Sequence, residues 1–348
     1  MDTITQLCIL AIIIVLLFDY TNGFHDAANI VATVIASRAM SPIQAVLVVG
    51  TFEFLGPIIA GTAVADTIGH FVNLSDLPVH LSLTVILSGL AGAIVWNLLT
   101  WRLGIPSSST HALIGGLIGA VILSVGSDHV VWGLHDLMHG HLDGVTKVIL
   151  SLILSPILGF LVGYLLHTVM RYALRTAHPN INRRLRLSQF VTAAGLAFSH
   201  GANDAQKSMG ILTLVLLVGG FIPRFEVPLW VILACATAMT LGILSGGWRI
   251  VRTLGFAIYK VRPLHAFDSQ LTSATVILSA SMLGAPVSTT HVVATAIMGI
   301  GASERPRDVR WNKAREIVVA WLLTIPAAAL VGAVVYALIF AILQRGQL

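Results

Sequence analysis

The chain has 348 residues, 56% of them hydrophobic and only 10% charged. A soluble domain of this length needs a far more charged surface. The formal charge of +5 sits in a few clusters without interleaved aromatics, which argues against nucleic acid as a partner. The apolar segments are long, many and spread from end to end, and they predict an all-α polytopic protein of the lipid bilayer.

In chain order, the N-terminus MDTITQLCIL begins with an acid and has no Lys or Arg. It lacks the basic region of a secretory signal and is read as the first membrane segment. The apolar run 7–18 rises about 18 Å as a helix, short of a hydrocarbon core of roughly 30 Å. Asp19, Tyr20, Thr21, Asn22, Gly23, His25 and Asp26 interrupt it before a second apolar run to Ala36. This pattern predicts a broken helix, two halves around an unwound polar stretch. A span containing Glu53 follows, then segment 66–80, then a helical hairpin over about 81–125 that turns at GIPSSSTHA. Segment 126–146 carries Asp128, His129, His135, Asp136, His139, His141 and Asp143. It is expected to be a solvated loop, with divalent-metal binding as the rival reading. A final span closes this part near residue 170.

Segment 171–187 is a basic linker with Arg171, Arg175, Arg183, Arg184 and Arg186. Beyond it the pattern starts again. FSHGANDAQKSMG interrupts an apolar run as TNGFHDAAN does, and GAPVSTTHV turns a second hairpin, 269–303, as GIPSSSTHA turns the first. Two motifs repeated in the same order at nearly the same spacing divide the chain into halves 1–170 and 188–348. The basic loops of the second half are Arg249, Arg252, Lys260 and Arg262, then Arg305, Arg307, Arg310 and Lys313. Their counterparts 66–80 and 126–146 have no Lys or Arg, so equivalent loops fall on opposite sides. That charge signature predicts two inverted-topology repeats, each with a broken helix and a helical hairpin, both termini outside and the linker in the cytoplasm. Cys8 and Cys235 lie in apolar runs and are expected to be buried thiols without a disulfide or metal role.

The hairpin turns carry the chemistry. Pro106 precedes Ser107, Ser108, Ser109 and Thr110, and Pro286 precedes Ser288, Thr289 and Thr290. Each outgoing helix offers unpaired N–H groups, its positive dipole end and hydroxyls, which together suit an anion. Helix capping alone is the rival reading, although the hydroxyls outnumber what two caps need. Asp26 and Asp204 are carboxylates at membrane depth, costly to bury and therefore functional candidates. With Asn29, Asn203 and unwound carbonyls they supply hard oxygen ligands for Na⁺, at Asp26, Asn29 and Asp204, or carry a proton. Lys207 either contacts the anion or pairs with an acid such as Asp26. Glu53 is a candidate for ion coupling or a structural hydrogen bond. Arg102 is read as snorkelling or pairing with Glu53, with substrate contact as the rival. His111 and His291 read as packing residues. A Ser–His dyad in SSSTH would make an enzyme, but residues two or three apart on one helix do not face each other well, and no enzyme needs two inverted copies.

GFHDAAN, HGANDAQK, PSSSTH and PVSTTH resemble the signature and hairpin-tip sequences of the inorganic phosphate transporter family, and SGGWRIVRTLG, 245–255, is familiar from its short bacterial members. The resemblance covers essentially the whole chain. It implies a symporter of the inner (plasma) membrane that imports inorganic phosphate with Na⁺ or H⁺ by alternating access, without a cofactor. It also implies phosphate held between the tips near Asp26, Asn203 and Asp204. The first signature has Phe24–His25 where the second has Ala202–Asn203, a departure from two-fold symmetric ion sites. A sulfate symporter of the same family is the nearest alternative and an anion channel a more distant one. Phosphate can donate a proton to a neighbouring carboxylate and ionised sulfate cannot, which favours phosphate. A soluble PhoU-like protein is an expected partner of short members, and exposed apolar faces leave room for a homodimer.

Overall fold

The computed structural model describes residues 2–246 and 258–345. Arg249, Arg252 and most of the 245–255 motif lie outside the described residues. The helices are α1 (Thr3–Ala36), α2 (Pro42–Ile59), α3 (Ala63–Gly69), α4 (Val79–Leu103), α5 (Ser109–Val125), α6 (Leu134–Met138), α7 (Gly144–Ala173), α8 (Ile181–Val218), α9 (Leu229–Ser245), α10 (Pro263–Met282), α11 (Thr289–Glu304) and α12 (Trp311–Arg345). Among the described residues there is no strand, only an isolated bridge between Val72 and Val130. Among the described residues, five helices are long and apolar enough to cross a bilayer: α1, α2, α4, α7 and α12.

Both hairpins form where the sequence places them. Gly104 adopts φ 68° and Gly284 φ 64°, left-handed values that end α4 and α10 and turn the chain. Ser108 and Ser288 then cap α5 and α11, their hydroxyls accepting the N–H of His111 and His291 at 3.2 and 3.3 Å. Packing exchanges partners between the halves. α1 lies on α9 and α2 on α8, while α12 packs on α4 and α5 and α7 packs on α11 and α10. Each half's last helix thus supports the other half's hairpin. The interior combines an apolar core with a set of buried polar side chains, and the outside is apolar. Ile153, Ile157, Leu161 and Leu165 of α7 and Leu322, Leu330 and Leu338 of α12 are exposed, as lipid-facing residues must be.

The expected helix breaks do not occur. α1 runs through Asp19 to Asp26, and α8 through Ser199 to Lys207, without interruption. Helical backbone satisfies its own polar groups in lipid, and neighbouring helices approach closely enough to surround the polar side chains. A Cβ on Gly23 would lie 2.2 Å from the Met239 carbonyl oxygen, and one on Gly201 2.3 Å from that of Glu53. The consequence for chemistry is direct. No unwound carbonyls are available here as ion ligands, so side chains must supply them. Of the basic linker, Arg183, Arg184 and Arg186 belong to the first turns of α8.

Candidate functional site

The C-terminal halves of α1 and α8 meet the two hairpin tips inside the bundle. Asp26 and Asp204, Asn29 and Lys207, and Ser109, Thr110, Thr289 and Thr290 are all at most 3% exposed. Each carboxylate accepts from the tip of its own half. Ser109 donates to Asp26 Oδ2 at 3.5 Å and Thr289 to Asp204 Oδ2 at 3.1 Å. Each long helix also reaches the opposite tip. Asn29 Nδ2 donates to Thr290 Oγ1 at 2.8 Å, and Lys207 Nζ donates to Thr110 Oγ1 at 2.6 Å. Thr290 in turn donates a hydrogen bond to Asp26 Oδ1 at 3.1 Å. The first-turn N–H groups of Ser109 and Thr110, and of Thr289 and Thr290, have no partner within their own helices. Two positive helix ends therefore converge on a pair of carboxylates.

His200 completes the centre, and the sequence reading assigned it no role. Its Nδ1 donates to Glu53 Oε1 at 2.7 Å. Its Nε2 lies 3.4 Å from Asp204 Oδ2 and 3.8 Å from Asp26 Oδ2. Ligand atoms of Asp26, His200 and Asp204 all lie within 4.8 Å of one another. Two carboxylates at that separation in a dry core repel strongly, and a cation or proton between them removes the conflict. The signal that could have found His200 was its place one helical turn before Asp204, on the same face.

Other expected residues fall into supporting positions. Asn203 is occupied by its own hairpin: Nδ2 donates to Ser281 Oγ and the Ala285 carbonyl, and Oδ1 accepts from Val287 N–H at 3.2 Å. His25, its counterpart, lies 3.0 Å from Asp26 Oδ1 by Nδ1 and 3.4 Å from Ser107 Oγ by Nε2. The departure between the signatures thus preserves one task, anchoring the tip, with different chemistry. Ser107 donates to Thr100 Oγ1 at 2.8 Å, and Ser108 and Ser288 serve as caps. Lys207 pairs with Asp204, not with Asp26, and also donates to the Val287 carbonyl. Glu53 sits against His200. Arg102, exposed at the end of α4, lines a cavity of about 840 Å³ with Lys313, Arg315 and Glu316.

His111 and His291 pack ring to ring with centroids 4.7 Å apart, and His291 stacks on Trp321 at 3.8 Å. In the outer segment, His129 and His139 bond to the backbone carbonyls of Asn73 and His135. Among the described residues, no three of its acids and histidines converge as a metal site. A further cluster joins α7, α10 and α11, where His167 contacts Asp268 at 2.7 Å and His265 contacts Glu304 at 2.5 Å. Because the Arg262 N–H donates to His265 Nδ1, Nε2 carries the proton and donates to Glu304. This is a hydrogen-bonded tie between helices. Cys8 and Cys235 are buried free thiols.

A family model described as the phosphate transporter family matches residues 22–332. A probable low-affinity inorganic phosphate transporter of Rhizobium meliloti (strain 1021) is 41% identical over 326 residues, 93% of this chain and 94% of the relative. A protein of the same description from Bacillus subtilis (strain 168) is 39% identical over 338 residues, 97% of this chain and 98% of the relative. The solved structure of a sodium-dependent phosphate transporter superposes with a TM-score of 0.84 at 25% identity, covering 97% of this chain and all of its own. These relatives are transporters rather than enzymes. A multi-pass helical membrane protein, with paired tips and paired acids at its centre and matches along nearly its whole length, belongs to the phosphate transporter family.

Proposed function

We propose that this chain imports inorganic phosphate by cation-coupled symport, with the anion held between the two hairpin tips. The observation that carries the reading is the crossed set of bonds at the centre, Asn29 to Thr290 and Lys207 to Thr110. It brings two helix N-termini and their hydroxyls to one buried place beside Asp26 and Asp204. Phosphate would draw on Ser109, Thr110, Thr289 and Thr290 and their N–H groups, with Ser107, Ser108, Ser288 and Asn203 shaping the tips and Lys207 offering positive charge.

Charge balance supports coupling. Asp26, Asp204 and Glu53 are all at most 2% exposed, and a phosphate anion cannot enter so acidic a centre alone. A cation shared by Asp26, Asp204 and the Asn29 amide oxygen, or a proton on His200 or a carboxylate, would have to load with it. Glu53 would act through His200 rather than as a direct ligand. Because the whole centre is buried, exchange with either side requires movement of the hairpins against α1 and α8. The exchanged packing of α7 and α12 suits halves 1–170 and 188–348 as inverted repeats that rock in turn, with both termini outside and 171–187 in the cytoplasm.

The test is radiolabelled phosphate uptake into proteoliposomes of the purified chain, with a Na⁺ gradient and a pH gradient imposed separately and excess sulfate in parallel. Uptake that follows one gradient, resists sulfate and disappears in Asp204→Asn is the expected result. Competition by sulfate would reassign the substrate. Uptake indifferent to both gradients would replace symport with a channel.

A further inference from the structure

Arg38 holds φ at 56°, the one left-handed value at a residue other than glycine among the described residues. It follows the last turn of α1, where glycine is the usual choice. Its side chain lines a cavity of about 680 Å³ that the central site does not use. The cavity is walled by the end of α1, the first turns of α8, residues 259–263 leading into α10, and residues 308–310 before α12. Arg38, Arg186, Lys260, Arg262 and Arg310 bring five cations to it, and Asp308 is the one acid among the described residues that line it.

The chain does not balance these charges. Arg262 pairs with Glu304 at 3.3 Å, and Asp308 faces Arg305 at 3.8 Å. Arg38, Arg186, Lys260 and Arg310 pair with no carboxylate among the described residues. The orientation of a membrane protein accounts for a basic face. It does not account for like charges gathered around one hollow, where they repel. The walls are also joined in advance. Ser37, 4% exposed, donates to Gln189 Oε1 at 2.7 Å, and Gln189, 0% exposed, donates to the Pro263 carbonyl at 3.2 Å. The Arg310 N–H donates to the Ile258 carbonyl at 3.1 Å. The backbones that carry the cations are thus fixed before a ligand arrives, which lowers the cost of binding one.

We infer that this cavity binds a soluble diphosphate, free or esterified. A phosphate group carries about −1.5 to −2 charges at neutral pH, so four cations without partners match two such groups. Arginine forks suit phosphate oxygens. The volume falls within the range of small-molecule pockets, roughly 300–1,000 Å³, and exceeds what one phosphate ion fills. A lipid headgroup would need an apolar wall for its chains, and no large exposed apolar side chain lines the cavity. A bound diphosphate ties the ends of α1 and α8 to the segments entering α10 and α12. Transport requires the hairpins to move against α1 and α8, so occupancy slows phosphate uptake. That consequence rests on the transport reading, whereas the anion site does not.

The experiment is equilibrium binding of ³²P-labelled pyrophosphate to the purified full chain in detergent, without an ion gradient, repeated with labelled ADP. Wild type, Arg38→Gly, Arg186→Gln and the central-site variant Thr290→Val are compared, each with excess sulfate in parallel. Arg38→Gly removes a cation and relaxes the left-handed φ, so it is expected to fold. The expected result is about one diphosphate per chain in wild type and Thr290→Val, and roughly tenfold weaker binding in Arg38→Gly and Arg186→Gln, with sulfate a poor competitor. Either order of affinity for the two probes supports the site and names its ligand as free or esterified. A wild type that binds neither probe overturns the site, as does equal affinity in the wild type and both arginine variants. Competition by sulfate overturns it as mere charge attraction. Binding that disappears in nanodiscs containing phosphatidylglycerol overturns it in favour of a lipid headgroup. Phosphate uptake by the wild type under either gradient is scored separately, so failure of the transport reading is distinguishable from failure of the anion site.

Discussion

Asn29 donates its amide Nδ2 to the Thr290 hydroxyl 2.8 Å away, tying the long helix of the first half to the hairpin tip of the second. Thr290 in turn donates to Asp26, so one residue of the far tip is oriented by two residues of α1. Replacing Asn29 by Leu should reduce phosphate uptake roughly fivefold, because Thr290 loses its donor and is free to turn away from the centre, at about 1 kcal/mol for the lost bond. Thr290→Val should give a loss at least as large. The check is initial uptake rate against phosphate concentration in proteoliposomes, with folding verified by a monodisperse elution profile.

Lys207 and Asp204 form a buried pair in which each charge depends on the other. Asp204→Asn leaves the ammonium uncompensated and should destabilise the chain by about 3–5 kcal/mol. Adding Lys207→Gln should recover most of that stability and none of the transport. Thermal unfolding in detergent measures the first effect and uptake the second. If Asp204→Asn were as stable as wild type, the pair would not be carrying its charge in the folded state.

His200 is the partner that keeps Glu53 tolerable in the core. His200→Phe should therefore lower the yield of folded protein more than Glu53→Gln, because the first leaves a carboxylate buried without a donor. The double variant His200→Phe with Glu53→Leu should restore yield by removing both polar groups. Fluorescence-detected size exclusion of the four proteins, wild type included, ranks them directly.

Gly201 and Gly195 lie on the same helix, yet only Gly201 is at a close approach. A Cβ at Gly201 would meet the Glu53 carbonyl oxygen at 2.3 Å, whereas at Gly195 nothing lies within 4 Å. Gly201→Ala should push α2 off α8 and cost about 1–3 kcal/mol or more. Gly195→Ala should be neutral or stabilise by about 0.5–1 kcal/mol, since it removes a helix-interior glycine. Tm values of the two variants in the same detergent distinguish the cases.

Much of the architecture is legible one residue at a time. Apolar runs long enough for a bilayer, the glycine and proline around each hairpin turn, and the Ser and Thr that follow are local features. Gly104 and Gly284 take left-handed φ, and Ser108 and Ser288 cap the outgoing helices, for reasons contained within a few residues of sequence. The repeated acids Asp26 and Asp204 announce themselves because burying a carboxylate in lipid is costly wherever it occurs. What the local pattern could not decide is how one helix lies against another. The polar stretches of α1 and α8 read as breaks because, in isolation, a helix carrying Asp, Asn and His through a membrane has nowhere to place them. Close contacts at Gly23 and Gly201 bring α9 and α2 near enough to enclose those side chains, and the helices run through. The same register sets His200 between three carboxylates, commits Asn203 to its own hairpin and pairs Lys207 with Asp204. Each of these depends on distances between segments far apart in sequence, and packing alone sets such distances.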